Sequence, residues 1–231
     1  MQKQGSKKQG FTLAEILITL TVIGVVAALT IPSLLQNTNQ AELKTALKRN
    51  FADLQQATLQ IINNNGGSLV NAFPDDVAGS ESLKNAFKDK LSYIKDCSGD
   101  ETKGGISGGG ASALGCWHGA NEWQYLNNPT SFPPIVFPGF ILSNGTIMYL
   151  GIDKSDCSDL RGDFYKCGAI TFDVNGFKKP NVVGKDIFSV FITNSGLIPL
   201  GARGWYDPST DCVPTRLGAR GWGCTAKYLY D

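Results

Sequence analysis

From Ile16 to Ile31 the chain runs ILITLTVIGVVAALTI without one charged residue. The wider stretch from Phe11 to Leu35, about 25 residues, is interrupted only by Glu15, and about 20 apolar residues suffice for a helix to cross a bilayer core. A helix apolar on every side has no face to offer water, so it must be covered by lipid or by other protein. Ahead of it lies MQKQGSKKQG, short, basic and polar. A basic flank stays on the cytoplasmic side of an apolar span. The first ten residues are therefore expected in the cytoplasm and the rest of the chain outside it.

A secretory signal peptide has the same basic start and apolar run, and Ala27 and Ala28 could precede its cleavage point. That reading leaves Glu15 without a reason. A carboxylate within a membrane-inserting helix is expensive and is rarely placed there without a partner. The plainer alternative is a Glu15 that snorkels to the headgroups from near the helix end.

Composition excludes more than it assigns. Apolar residues at 42% and charged residues at 18% argue against disorder and against a collagen-like fibre. A formal net charge of +1 lacks the basic excess of a general nucleic-acid binder, and Arg203, Arg216 and Arg220 do not establish one; no specific nucleic acid is inferred. There is no phosphate-cradling glycine loop and no paired-histidine motif, so a non-enzymatic role is expected. His118 is the only histidine and no CxxC occurs, which weakens a zinc reading. The six cysteines, Cys97, Cys116, Cys157, Cys167, Cys212 and Cys224, all follow the apolar run. An even number in a translocated domain suggests disulfides. Of 15 possible pairings, the sequential one, Cys97–Cys116, Cys157–Cys167 and Cys212–Cys224, makes three local loops and is the one expected.

The word around the carboxylate is G-F-T-L-A-E, Gly10 to Glu15. With its basic leader and long apolar helix, this segment strongly resembles the type IV pilin and type II secretion pseudopilin superfamily. The resemblance implies that a membrane aspartyl peptidase cuts between Gly10 and Phe11 and then N-methylates Phe11. It also implies that Glu15 is the assembly residue, pairing with the terminal amino group of an adjoining subunit. Cleavage would create that group at Phe11, with an ordinary pKa near 7.7–8. Pairing removes much of the cost of a buried charge, so the pair would mark register where apolar contact alone lets helices slide. The implied partners are identical or related pilin subunits, the prepilin peptidase/N-methyltransferase and an inner-membrane assembly platform. The implied location is the inner (cytoplasmic) membrane as a single-pass protein, then a surface pilus or a periplasmic pseudopilus.

Pro32 lacks an N–H and clashes with the preceding turn, so a kink is expected there; family members often carry a proline at that place, and Gly24 is a second weak point in the helix. Beyond the membrane, Leu43, Leu47, Phe51, Leu54, Ala57 or Thr58, and Ile61 recur at spacings of three and four, the pattern of an amphipathic helix packed on a sheet. Asn63-Asn64-Asn65-Gly66-Gly67 ends it. The expected organisation is a leader at 1–10, a helix at 11–65 that spans the membrane at about 11–35 and is about 75 Å long, and a disulfide-containing head at 66–231.

In the head, Ser80 to Tyr93 is expected as a short helix and Ser107 to Ser112 as a flexible connection. Phe137 to Ser143 and Thr146 to Gly151 flank Asn144-Gly145, a two-residue hairpin signal. Gly168 to Val174, Asp186 to Thr193 and Gly196 to Leu200 complete four or five antiparallel strands, one face covering the helix. The fold class is α+β, pilin-like. DLRGDF, between Cys157 and Cys167, reads as an exposed charged segment. Trp205, Trp222, Tyr228 and Tyr230 supply apolar mass near the C-terminal cysteine loop.

Cofactors are not expected with any firmness. Some pseudopilins carry a structural calcium site in their C-terminal loops, and Asp173, Asn175 and Asp186 offer oxygens in a loosely similar segment, without EF-hand spacing. Asx-turns explain the same residues. The resemblance thus implies a structural subunit of a type IV pilus-like filament. The alternatives are a pseudopilin of a secretion system and a membrane-tethered binding protein that never assembles. Glu15 favours a subunit of the filament body, and the disulfide-rich head favours a surface pilin.

Overall fold

The computed structural model describes residues 11–97, 123–129 and 138–231. The leader, Cys116, the Ser107–Ser112 connection and Phe137 lie outside the described residues.

Helix α1 runs Leu13–Asn64 and includes Pro32 without interruption. Threonines are poor helix formers because their hydroxyls compete for backbone groups. Here that competition is local: Thr19 Oγ1 donates to the Glu15 carbonyl at 2.9 Å, Thr21 to Leu17 at 2.7 Å and Thr30 to Val26 at 2.9 Å. The hydroxyls are satisfied inside the helix, so they demand no water. Its C-terminal end is closed where Gly66 and Gly67 take φ of 75° and 92°, and the Gly67 N–H returns to the Ile62 carbonyl at 2.9 Å.

From Leu43 onward the chain forms one compact unit, residues Leu43–Asp231. Leu47, Leu54, Ala57 and Ile61 of α1 are buried there, with Leu43 and Phe51 partly buried, as the three-four spacing predicts. They pack on a six-stranded antiparallel sheet in the order β1-β2-β3-β6-β7-β8, formed by β1 Tyr93–Cys97, β2 Gly139–Leu142, β3 Ile147–Ile152, β6 Gly168–Asp173, β7 Ile187–Thr193 and β8 Gly196–Pro199. A separate two-stranded sheet pairs β4 Asp159–Arg161 with β5 Phe164–Lys166. The remaining helices are α2 Val77–Lys88, α3 Pro208–Asp211 and α4 Cys224–Tyr230.

Strands β3 and β7 are buried at every position because both sheet faces are covered. Met148, Leu150, Phe188 and Val190 join the α1 side, with Leu83 and Phe87 of α2. Ile147, Tyr149, Ile187 and Phe191 join a second cluster with Trp123, Phe164 and Trp222. The Asn-Gly hairpin forms as read: Gly145 has φ of 88°, and Asn144 Oδ1 accepts the Thr146 N–H at 3.0 Å. One buried polar residue on the α1 stripe is tied to this hairpin. Asn50 Nδ2 donates to Thr146 Oγ1 at 2.9 Å, and its Oδ1 accepts from Asn144 Nδ2 at 3.0 Å.

One expectation about the head is corrected. Helix α2 begins before Ser80 and stops at Lys88, and Tyr93 opens an edge strand. The Leu91 N–H closes back on Phe87, and Asp96 of β1 is drawn to α2 by Lys84 at 2.7 Å and by Lys88. DLRGDF, read as exposed and charged, leaves Leu160, Gly162 and Asp163 exposed and folds as a hairpin: Gly162 takes φ of 64° between β4 and β5. Phe164 turns inward against Phe191, and Lys166 is buried against Asp153 at 2.7 Å.

Candidate functional site

The expected assembly residues lie at the start of α1. Phe11 and Glu15 are exposed, Phe11 to 85%. Glu15 Oε2 accepts both the Thr12 N–H and the Thr12 hydroxyl at 2.8 Å, and Thr12 Oγ1 accepts the Glu15 N–H at 3.3 Å. This is a capping box, which satisfies N–H groups the first helical turn leaves open. Thr12 was not singled out in the sequence, although T-x-x-E before an apolar run is the written signal for it. Within this chain, then, the carboxylate holds the helix start in shape.

Leu13–Pro32 is long and apolar enough to cross a membrane, and none of its residues is buried within the chain. Leu20, Val22, Ile23, Val25, Val26 and Leu29 are each more than half exposed. Twenty residues of α-helix extend about 30 Å, the thickness of a hydrocarbon core.

The cysteines are placed elsewhere, in the head. Cys157 is bonded to Cys167, and Cys212 to Cys224. Cys97 is also disulfide-bonded; Cys116, expected as its partner, lies outside the described residues. The Cys157–Cys167 bond spans the base of the β4–β5 hairpin. Cys212–Cys224 joins the end of α3 to the start of α4. Trp222 is buried beside that bond, whereas Trp205 is 38% exposed and Tyr230 69% exposed.

Asp173, Asn175 and Asp186 do meet, in the connection between β6 and β7. Both carboxylate oxygens of the buried Asp186 accept backbone N–H groups, from Asn181 and Val182, each at 2.7 Å. Asp173 Oδ1 accepts the Asn175 N–H at 3.1 Å, an Asx-turn. Burial, and then the charge of Asp186, pushes the Asp173 carboxyl up to about 9. Burial likewise raises Asp186. The Oδ1 atoms of Asn175 and Asn181 are buried here without a hydrogen-bond partner. Acceptors outnumber donors, which favours a proton on Asp173. Asp186 is committed to the backbone, so the set falls short of the six to eight oxygens calcium takes. Among the described residues no group of three or more His, Cys, Asp or Glu could hold a metal ion. No cofactor is indicated.

Residues 5–31 match the family model described as the prokaryotic N-terminal methylation motif. No curated protein and no solved structure matches the chain. The motif covers Gly10, Phe11 and Glu15 together with the apolar helix, and the antiparallel sheet follows it. The motif and the α+β architecture behind it mark the chain as a type IV pilin-like or pseudopilin-like protein.

Proposed function

We propose that this chain is a structural subunit of a type IV pilus-like filament, cut after Gly10 by a prepilin peptidase and N-methylated at Phe11. It waits in the cytoplasmic membrane as a single-pass protein. It then enters the filament through its N-terminal helix, with Glu15 pairing to the terminal amino group of a neighbour. It is the substrate of its peptidase and carries no catalysis of its own.

The observation that carries this reading is an apolar helix with no cover inside the chain, whose single carboxylate sits at a fixed place in the methylation motif. In the chain by itself, Thr12 occupies that carboxylate through a capping box. A neighbour's ammonium would be a charged partner in a dry bundle, where charge-assisted hydrogen bonds are about twice as strong as neutral ones. The disulfide-containing head favours a surface filament over a pseudopilus.

The test is Glu15→Ala and Glu15→Gln in native cells, measured by mass spectrometry of membranes and of sheared filaments. Both variants are expected to be cleaved and methylated normally. Their incorporation into filaments should fall at least about a hundredfold, because breaking a buried charge pair costs about 3–5 kcal/mol. Incorporation equal to wild type would contradict the pairing. A wild-type chain mature in membranes but absent from sheared filaments would favour the pseudopilin.

A further inference from the structure

Two turns mark the ends of the head. Where α1 leaves, the Leu69 N–H donates to the carbonyl of Asn194, in the turn between β7 and β8, at 3.2 Å. Where α1 enters, Asn50 holds the β2–β3 turn through Asn144 and Thr146. The connection between β6 and β7 starts at this second end. Gly176, at φ of 65°, packs so closely on the β2–β3 turn that a Cβ there would lie 2.4 Å from the Gly145 carbonyl oxygen. Only glycine lets the two turns touch in this way.

From this anchor Phe177, Lys178, Lys179 and Pro180 run along the outside of the head. Phe177 is 54% exposed. Lys178, Lys179 and Lys185 are exposed, and among the described residues none of the three ammonium groups is paired. The two acids that flank this segment do not offset them: Asp173 and Asp186 are fully buried, and Asp186 is spent on the Asn181 and Val182 N–H groups. The other charges at this end are balanced. Arg49 and Lys90 line one cleft with Asp53, and Asp89 precedes Lys90. Asp231 follows the helix whose Tyr228 ring carries the Lys44 ammonium at 4.3 Å. The loop lysines are left as the surplus.

The backbone beneath these side chains is fixed. The Asn175 N–H closes on Asp173 at 3.1 Å, and Asn175 Nδ2 donates to the Lys179 carbonyl at 3.2 Å. A preformed loop loses little entropy when its side chains bind. An outward aromatic ring set among lysines suits a surface that is anionic outside and apolar beneath, as an anionic phospholipid leaflet is. Chain length supplies that surface. Only residues 33–42 separate Leu13–Pro32 from Leu43, where the head begins. That connection reaches at most about 40 Å even fully extended. The end of the head where α1 enters is thus tethered over the bilayer, and contact there is intramolecular.

We propose that the loop from Phe177 to Lys185 docks the head onto anionic phospholipid headgroups while the subunit waits in the membrane. The Phe177 ring enters the interface, and Lys178, Lys179 and Lys185 pair with lipid phosphates. This rests on Leu13–Pro32 spanning the membrane, and it holds for a pilus subunit and a secretion subunit alike. Each lysine near an anionic leaflet multiplies the docked population about fivefold.

The experiment places the full-length, isotope-labelled chain in lipid nanodiscs that carry a headgroup spin label, and reads the broadening of its amide resonances. The discs are phosphatidylcholine alone or phosphatidylcholine mixed equally with phosphatidylglycerol. In the mixed discs, broadening at Phe177, Lys178 and Lys179 should exceed that at Asn194 and Ser195, in the far turn. It should also rise at least about threefold over the neutral discs. The combined variant Lys178→Gln, Lys179→Gln and Lys185→Gln, all exposed changes, should return it to the neutral-disc value with the Asn181 and Val182 resonances in place. Salt at about 1 M, which screens charges beyond about 3 Å, should do the same. Broadening that is equal in both discs, or that survives the three Gln changes, would mean that the tether alone brings the loop near lipid, and would overturn the docking. Shifts that grow with protein concentration, without lipid-dependent broadening, would also overturn it and assign the loop to another copy of the chain. A chain that enters neither disc would overturn the span itself, and the docking with it.

Discussion

One helix carries two kinds of surface. Residues 13–32 of α1 are apolar on all sides and exposed, whereas residues 43–64 are amphipathic and bury Leu47, Leu54, Ala57 and Ile61 in the head core. Helical propensity does not separate them, since both stretches are helical. What differs is where the partner surface comes from. The later stretch finds its cover in the chain's own sheet, so its apolar residues determine the stability of the head. The earlier stretch has none among the described residues, so its apolar residues are left for lipid or another protein to cover. A long apolar helix left uncovered is a liability in water and a means of assembly in a membrane.

The comparison is broken most directly by truncating a buried leucine. Leu54→Ala should cost about 2–5 kcal/mol, the range for a fully buried leucine in a packed core. Urea unfolding of the full chain in detergent, followed by the fluorescence of its head tryptophans, measures it. A cost below about 1 kcal/mol would mean that the helix stripe is not part of the core.

A second effect, smaller per pH unit, sharpens the account of the head. The folded Asp173 carboxyl titrates near 9, above its ordinary value of 3.8. The folded state therefore holds a proton that the unfolded chain releases between those values. The group's stabilising contribution is complete below about pH 4 and is lost as pH rises towards 9, with a slope of at most about 1.4 kcal/mol per pH unit. Asp173→Asn should flatten that slope and raise stability at pH 8. Unchanged pH dependence, by the same unfolding measurement, would show that Asp173 is ionised in the fold.

The smallest effect is the mirror of the first. Leu20→Ala removes as many atoms as Leu54→Ala, yet head stability should move by less than about 0.5 kcal/mol, as for surface changes. A loss comparable with that of Leu54→Ala would show that residues 13–32 are covered within the chain.

Much of this was legible in the sequence for a physical reason. Local signals act locally: the run after Glu15, the three-four spacing from Leu43 to Ile61 and Asn144-Gly145 each specify structure within a few residues. What stayed hidden depends on distant partners. Asn50 sits among apolar stripe residues, and its hydrogen bonds reach Asn144 and Thr146, far along the chain. Strand β1 follows a helix with no strong turn signal and is held by Asp96 against Lys84 and Lys88. Phe164 and Lys166 turn a charged-looking segment into a hairpin by burying one edge. Thr12 is a different case, because it was spelled out as a four-residue capping signal. At the expected assembly site the residue types were readable, while the occupancy of Glu15 by Thr12 emerged only in the folded helix start.

The central claim is that the N-terminal segment is processed for assembly rather than retained or removed as a signal peptide. The most direct measurement is the mass of the N-terminal peptide from native cells, in membranes and in sheared filaments. The expected result is a chain beginning at N-methylated Phe11, enriched in the sheared fraction. An intact Met1 start in both fractions, or a start just beyond Ala28, would contradict it.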